Sequence, residues 1–181
     1  MPAEPTHADE PEREHAIAPV TEDDLADLLP LMRAYCDFYG ESPSDEALVE
    51  LSRTLIADPM REGIQLIARD PSGVAVGFAS VFWSWDTTEA ARIGIMNDLF
   101  VAPAARGLKL ADRLIEGCMR CCAKRGASRL EWETAPENLR AQAVYARVGA
   151  SREPWLVYVK QVTVAIDSPE AAPAESGRRE G

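Results

Sequence analysis

The pattern of apolar residues predicts a single α/β domain built on a mixed sheet with helices on its faces. Three observations carry this reading. Two runs rich in β-formers, GIQLIAR and VAVGFASVFWSW, flank the turn Asp70-Pro71-Ser72-Gly73, a further strand runs into a helical pattern after Pro103, and two amphipathic helical stretches lie upstream. A hairpin followed by a strand–helix–strand unit implies a mostly antiparallel sheet that becomes parallel at its middle. At 181 residues the chain suits one core.

The elements follow in order. Residues 1–14 and 165–181 are acidic and proline-bearing with no apolar period, so both are expected to be disordered, leaving a domain over 15–164. After a short strand in HAIAPV, Thr21 with Asp24 forms a capping-box-like start. Leu25, Leu28, Leu29 and Met32 continue at helical spacing toward Tyr35 and Tyr39, with Pro30 expected to kink or divide the helix. Ser44, Asp45 and Glu46 open a second helix with Leu48, Leu51, Leu55 and Ile56 on its apolar face. The hairpin strands come next, then ARIGIMNDLFV and a helix with Leu108, Ala111, Leu114, Ile115, Cys118 and Cys122 at intervals of three to four. SRLEWETA reads as a strand, LRAQAVYARVG as a short helix ended by Gly149, and PWLVYVKQVTV as a last strand.

Composition narrows the function classes. The formal net charge of −11 is shared between the ends and a moderately acidic middle, which disfavours nucleic acid and anionic membranes and suits a cationic partner. No apolar run approaches the roughly 20 residues of a membrane span, and the N-terminus lacks a basic, apolar leader pattern, so a cytoplasmic location is expected. Three of the four cysteines crowd into one helix, a poor disulfide framework, and their C-x-x-C spacing has no second ligand pair, so no metal site is expected. The two histidines, His7 and His15, stand near the N-terminus, which makes a buried Ser-His-Asp or Cys-His site hard to assemble.

The most informative stretch is NDLFVAPAARGLKLADRLI. A strand, a Pro-Ala-Ala turn and Arg106-Gly107 at the mouth of a helix place unpartnered amides and a flexible backbone where an anion binds, although an ordinary connection has the same outline. Asn138, Ala141, Tyr145 and Val148-Gly149-Ala150 follow on the helix after the next strand. Together, VxPxxRGxxxA and NxxAxxxYxxxGA resemble the cofactor core of the GCN5-related N-acetyltransferases (GNAT), over about residues 64–160. VGFASVFWSWD, MNDLFVAPAARG, APENLRAQAVYARVGA and YCDFYGE look most like the spermidine/spermine acetyltransferases within that superfamily.

The resemblance implies a sheet splayed at its parallel middle, acetyl-CoA as co-substrate, a small-molecule amine as acceptor and a homodimer. It implies that Leu99, Phe100 and Val101 present backbone to the pantetheine arm. Arg106 and the turn Gly107, Leu108, Lys109, Leu110, Ala111 and Asp112 would take the pyrophosphate, Asn138 would contact the cofactor and Tyr145 would face the thiol. Lys109 departs from the pattern, standing where the family has a second glycine: its Cβ obstructs close approach, while its ammonium can pair with a phosphate. Asn97 departs too, where the polyamine enzymes carry a carboxylate.

The reaction limits the remaining roles. An ammonium must lose a proton before attacking a thioester, and the departing thiolate benefits from a donor, which Tyr145 can be unless it is merely packed. Asp86, Asp98, Glu131 and Glu133 are candidates to take the proton, and Asp86, Asn97 and Asp98 to contact the substrate. Trp83 and Trp85 share one strand face, for packing or for stacking on an amine's alkyl chain. A polyamine or similar small cationic amine leads as substrate. Another amine, such as an amino acid, an antibiotic or a peptide N-terminus, and a CoA-binding protein with little turnover are the alternatives.

Overall fold

The computed structural model describes residues 15–162. Strands β1 (Ala16–Pro19), β2 (Gly63–Arg69), β3 (Ala75–Asp86), β4 (Ala91–Val101) and β5 (Ala127–Glu131) form one sheet in chain order. Pairing is antiparallel from β1 to β4 and parallel between β4 and β5, as the hairpin and crossover pattern predicted. Helices α1 (Leu25–Tyr39) and α2 (Asp45–Ala57) precede the hairpin, α3 (Leu110–Arg125) makes the crossover and α4 (Leu139–Arg147) follows β5.

The side-chain alternation of the strands sorts the core into two layers. Leu66, Ala68, Ala79 and Val81 meet Leu114, Ile115, Cys118 and Cys122 of α3 on one face. Ile67, Phe78 and Phe100 meet Leu28, Leu31 and Leu48 of α1 and α2 on the other. Local chemistry sets the element ends. The Thr21 N–H donates to the Asp24 carboxylate at 2.9 Å over a single 3₁₀ turn before α1. Ser44 caps α2 by accepting from the Ala47 N–H at 3.2 Å. In the hairpin turn the Asp70 carboxylate accepts from the N–H groups of Ser72 and Val74 at 2.9 and 3.0 Å. α1 runs undivided through Pro30.

Residues 151–162, a separate unit, contain neither helix nor strand and are exposed throughout. The strand expected in PWLVYVKQVTV is therefore absent over its described part, 154–162. β-propensity describes how a side chain fits a pleated, half-buried surface, and without a partner ladder it does not by itself form a strand. The tails expected to be disordered lie outside the described residues. Among the described residues no helix is long and apolar enough to cross a membrane.

Two irregularities in β4 free part of its edge and turn its backbone. Its parallel register with β5 ends at Ile95 opposite Glu131, so β4 continues to Val101 with that edge unpaired. Between β3 and β4 the register passes from Ser80 opposite Asp98 to Val81 opposite Met96, which leaves Asn97 as the extra residue of a β-bulge. Below the split the layers are tight: a Cβ on Gly94 would stand 2.6 Å from the Cys122 Sγ and 3.1 Å from both Leu130 and Val81. Gly94→Ala is accordingly expected to lower stability by about 1–3 kcal/mol in urea unfolding. A loss under about 0.5 kcal/mol would mean that α3 yields to the added methyl.

Candidate active site

Where β4 parts from β5, a cavity of about 590 Å³ opens between the free edge of β4, the N-terminal end of α3, the residues after β5, and α4. Of the residues singled out in the sequence, Asn97, Leu99, Phe100, Val101, Arg106, Gly107, Lys109, Leu110, Ala111, Asp112, Asn138 and Tyr145 line it. Leu108 does not, and its side chain is exposed. Asp86 is also elsewhere: its carboxylate accepts from the Thr88 N–H and hydroxyl at 2.7 and 2.6 Å and pairs with Arg129. Those donors, the Thr88 hydroxyl first, hold the Asp86 carboxyl far below the usual carboxylate range. Arg129 likewise binds Glu131 at 2.6 Å. The Trp83 ring N–H donates to the Pro59 carbonyl at 2.8 Å and Trp85 stacks under the Arg92 guanidinium, both roles in packing and surface structure.

The backbone of β4 is oriented for a ligand. The Ala102 N–H bonds back to the Val76 carbonyl at 2.8 Å, so by the alternation of an antiparallel strand the amides of Leu99 and Val101 face the cleft and that of Phe100 faces β3. The Val101 carbonyl, on the cleft side, accepts from Arg106 Nε at 3.0 Å. Phe100 is thus a lining residue whose backbone belongs to the sheet.

At the other end the cavity is basic. Arg106, Lys109 and Arg140 line it without an ion-pair partner among the described residues. Burial, then the like charge of Arg140, lowers the Arg106 pKa. No side chain caps α3, so its first amides are open to a ligand. Lys109 sits at φ 55°, ψ 21°, in the left-handed region, which accounts for the family's glycine at this point. Relief of that strain, about 1 kcal/mol, together with removal of its Cβ, leads us to expect tighter CoA binding and higher stability from Lys109→Gly. Lys109→Ala removes the long chain and leaves the backbone strain, so it should bind CoA between the other two without the gain in stability. Calorimetric titration with CoA at two salt concentrations checks this. Weaker binding by both variants, with salt-sensitive binding by wild type alone, would make Lys109 a phosphate ligand instead.

α4 has no fully buried residue, and specific bonds hold it. Arg147 binds Asp112 of α3 bidentately at 2.6 and 2.5 Å, holding that carboxyl below its usual range. Asn138, expected to contact the cofactor, uses its side-chain oxygen to cap α4 through the Ala141 N–H at 3.2 Å while still lining the cavity. Tyr145 packs edge-on against Trp132, ring centroids 5.3 Å apart. Burial raises its pKa and a Thr134 hydrogen bond opposes this, so the phenol keeps its proton at neutral pH.

Residues to which the sequence assigned no role in the site complete its lining. Tyr35, Phe38 and Tyr39, from the last turns of α1, line the cavity. The Tyr35 hydroxyl shares its hydrogen bonding among the carbonyl of the bulged Asn97 at 3.1 Å, the Asp98 carboxylate and the Tyr39 hydroxyl. Asp98 lies behind that ring, bonded also to Ser80, and Ser80 accepts from Gln65 Nε2 at 3.0 Å in the core. Burial raises the Asp98 pKa against those bonds. The bulge is what turns the Asn97 carbonyl to Tyr35.

Comparison with known proteins agrees with this arrangement. Residues 28–150 match the model of the acetyltransferase (GNAT) family. The uncharacterized N-acetyltransferase YhfO of Bacillus subtilis is 27% identical over 135 residues, 75% of this chain and 89% of that one. The aminoglycoside N(6')-acetyltransferase type 1 of Salmonella typhimurium is 25% identical over 122 residues, 66% of this chain and 81% of that one. Among solved structures, AAC(6')-Iy in complex with the bisubstrate analog CoA-S-monomethyl-acetylneamine superposes with a TM-score of 0.71 at 20% identity, covering 83% of this chain and 99% of that one. The match to the family model over residues 28–150, on a five-stranded sheet splayed between β4 and β5, places the chain in the acetyltransferase (GNAT) family.

Proposed function

We propose that this acetyltransferase moves an acetyl group from acetyl-CoA to a primary amine on a small cationic molecule, in the cavity between β4 and α4. The observation that carries the proposal is that one cavity is lined by an anion-ready end, formed by Arg106, Lys109, Arg140 and the open amides of α3, by a protonated phenol, and by Tyr35, which is hydrogen-bonded to the buried Asp98. The cavity is of a size for an extended ligand arm along the β4 edge. The bound thioester supplies the acyl group. The amides of Leu99 and Val101 orient it and donate to the acyl oxygen as charge gathers there. Asp98 takes the ammonium's proton through the Tyr35 hydroxyl, and Tyr145 gives its proton to the departing sulfur. Arg147 and Asp112 keep α4, and with it Tyr145, against α3.

A polyamine is the acceptor suggested by sequence resemblance, and an aminoglycoside is the one suggested by the named relatives. A cytoplasmic location and a homodimer complete the proposal, the latter to be checked by light scattering at several concentrations. Thiol release from acetyl-CoA with a panel of amines tests the activity. Amine-dependent release supports transfer, and CoA binding without turnover of any amine favours a binding protein.

A further inference from the structure

We infer that the acceptor carries a single ammonium on an apolar body about the size of an aromatic ring, seated against Tyr35, Phe38 and Tyr39. The inference rests on the acetyl-transfer reading and specifies its substrate class. Positions 35, 38 and 39 fall at i, i+3 and i+4, so the three rings share one face of α1 and turn it toward the cavity. Tyr39 packs edge-to-face between the other two at 5.0 Å from each, which fixes the wall's shape. Phe38 and Tyr39 remain 65% and 55% exposed. Large apolar side chains left open beside a site gain most when an apolar occupant covers them.

Charge limits the other half of the occupant. Among the described residues the cavity is lined by two carboxylates, Asp112 and Glu133, and Asp112 is taken up by Arg147. Glu133 and the relayed Asp98 can together serve one ammonium. Asp37 and Glu41 flank the aromatic wall without lining the cavity. A second or third ammonium would find no further unpaired carboxylate on the cavity lining among the described residues. Polyamines and aminoglycosides are therefore poor fits, and an arylalkylamine is a good one.

Steady-state thiol release by the full chain with acetyl-CoA and 2-phenylethylamine, n-propylamine, spermidine or kanamycin tests this. The expected result is a kcat/KM for 2-phenylethylamine at least about tenfold above those of spermidine and kanamycin. Phe38→Ala should cut the preference for 2-phenylethylamine over n-propylamine by about tenfold, chiefly through KM, while the KM for acetyl-CoA stays within about twofold. Spermidine or kanamycin as the best substrate would overturn the inference and leave acetyl transfer intact. So would a preference unmoved by Phe38→Ala. Absence of turnover with every amine, in a chain that binds CoA, would overturn the acetyl-transfer reading and this inference with it.

Discussion

Tyr145→Phe is expected to lower kcat by about ten- to a thousandfold and leave CoA affinity almost unchanged. The substitution keeps the ring, and so its edge-on contact with Trp132, and removes only the hydroxyl. Burial holds that hydroxyl protonated at neutral pH, which a donor to the departing sulfur requires. A thiolate whose unperturbed pKa is about 8.5 leaves poorly without a proton near neutral pH. The Thr134 hydrogen bond also offers the simpler account of a tyrosine merely satisfied in place. The two accounts part in kinetics: a packing role predicts turnover within about twofold of wild type, with any loss appearing in stability.

Asp98→Asn is the second large effect, an expected loss of about a hundredfold or more in kcat/KM. Asparagine keeps the size and some of the bonding toward Ser80 and Tyr35, and it cannot accept the amine's proton. Because burial raises the Asp98 pKa, its ionisation should produce an acid limb in wild-type kcat/KM above the ordinary carboxylate value of about 3.9. Activity should rise through that limb as pH increases, and the limb should be missing from the variant. Stability has the opposite sign. A carboxyl with a raised folded pKa contributes stability that is present below its unfolded pKa and is lost as pH rises through the folded one. The variant should thus gain on wild type in thermal unfolding as the buffer moves from acid to neutral. A variant that is both inactive and equally destabilised at every pH would make Asp98 structural.

The parts of this site that were legible in the sequence are local in the chain. The strand, Pro-Ala-Ala turn and helix that carry Arg106 to Asp112 lie in one run, and so do Asn138 and Tyr145 on α4. Residue order and spacing carried the family resemblance that singled them out. What escaped depends on pairing between distant segments. The bulge that places Asn97 is a property of the β3–β4 register, not of either strand alone. Tyr35 and Tyr39 were read as the continuation of an apolar helix face, and only the opening beyond Ile95 turns that face into a cavity wall. Asp86 and Asp98 looked alike as strand carboxylates. Arg129 and the Thr88 turn occupy one, while Ser80 and Tyr35 enclose the other. Lys109 was recognised as a departure, but the need for a left-handed backbone there is visible only in its φ. The absence of a last strand over 154–162 has the same cause, since a strand exists through its partner.

The proposed transfer is direct, from thioester to amine in the β4–α4 cavity. Product and protein mass spectrometry during a single reaction with acetyl-CoA and the best amine tests it. Direct transfer should give one N-acetylated amine for each thiol released, an unmodified chain throughout, and slow formation of both products with Tyr145→Phe. Thiol release at the same rate without amine, or an acetylated chain that forms and decays during turnover, would contradict it.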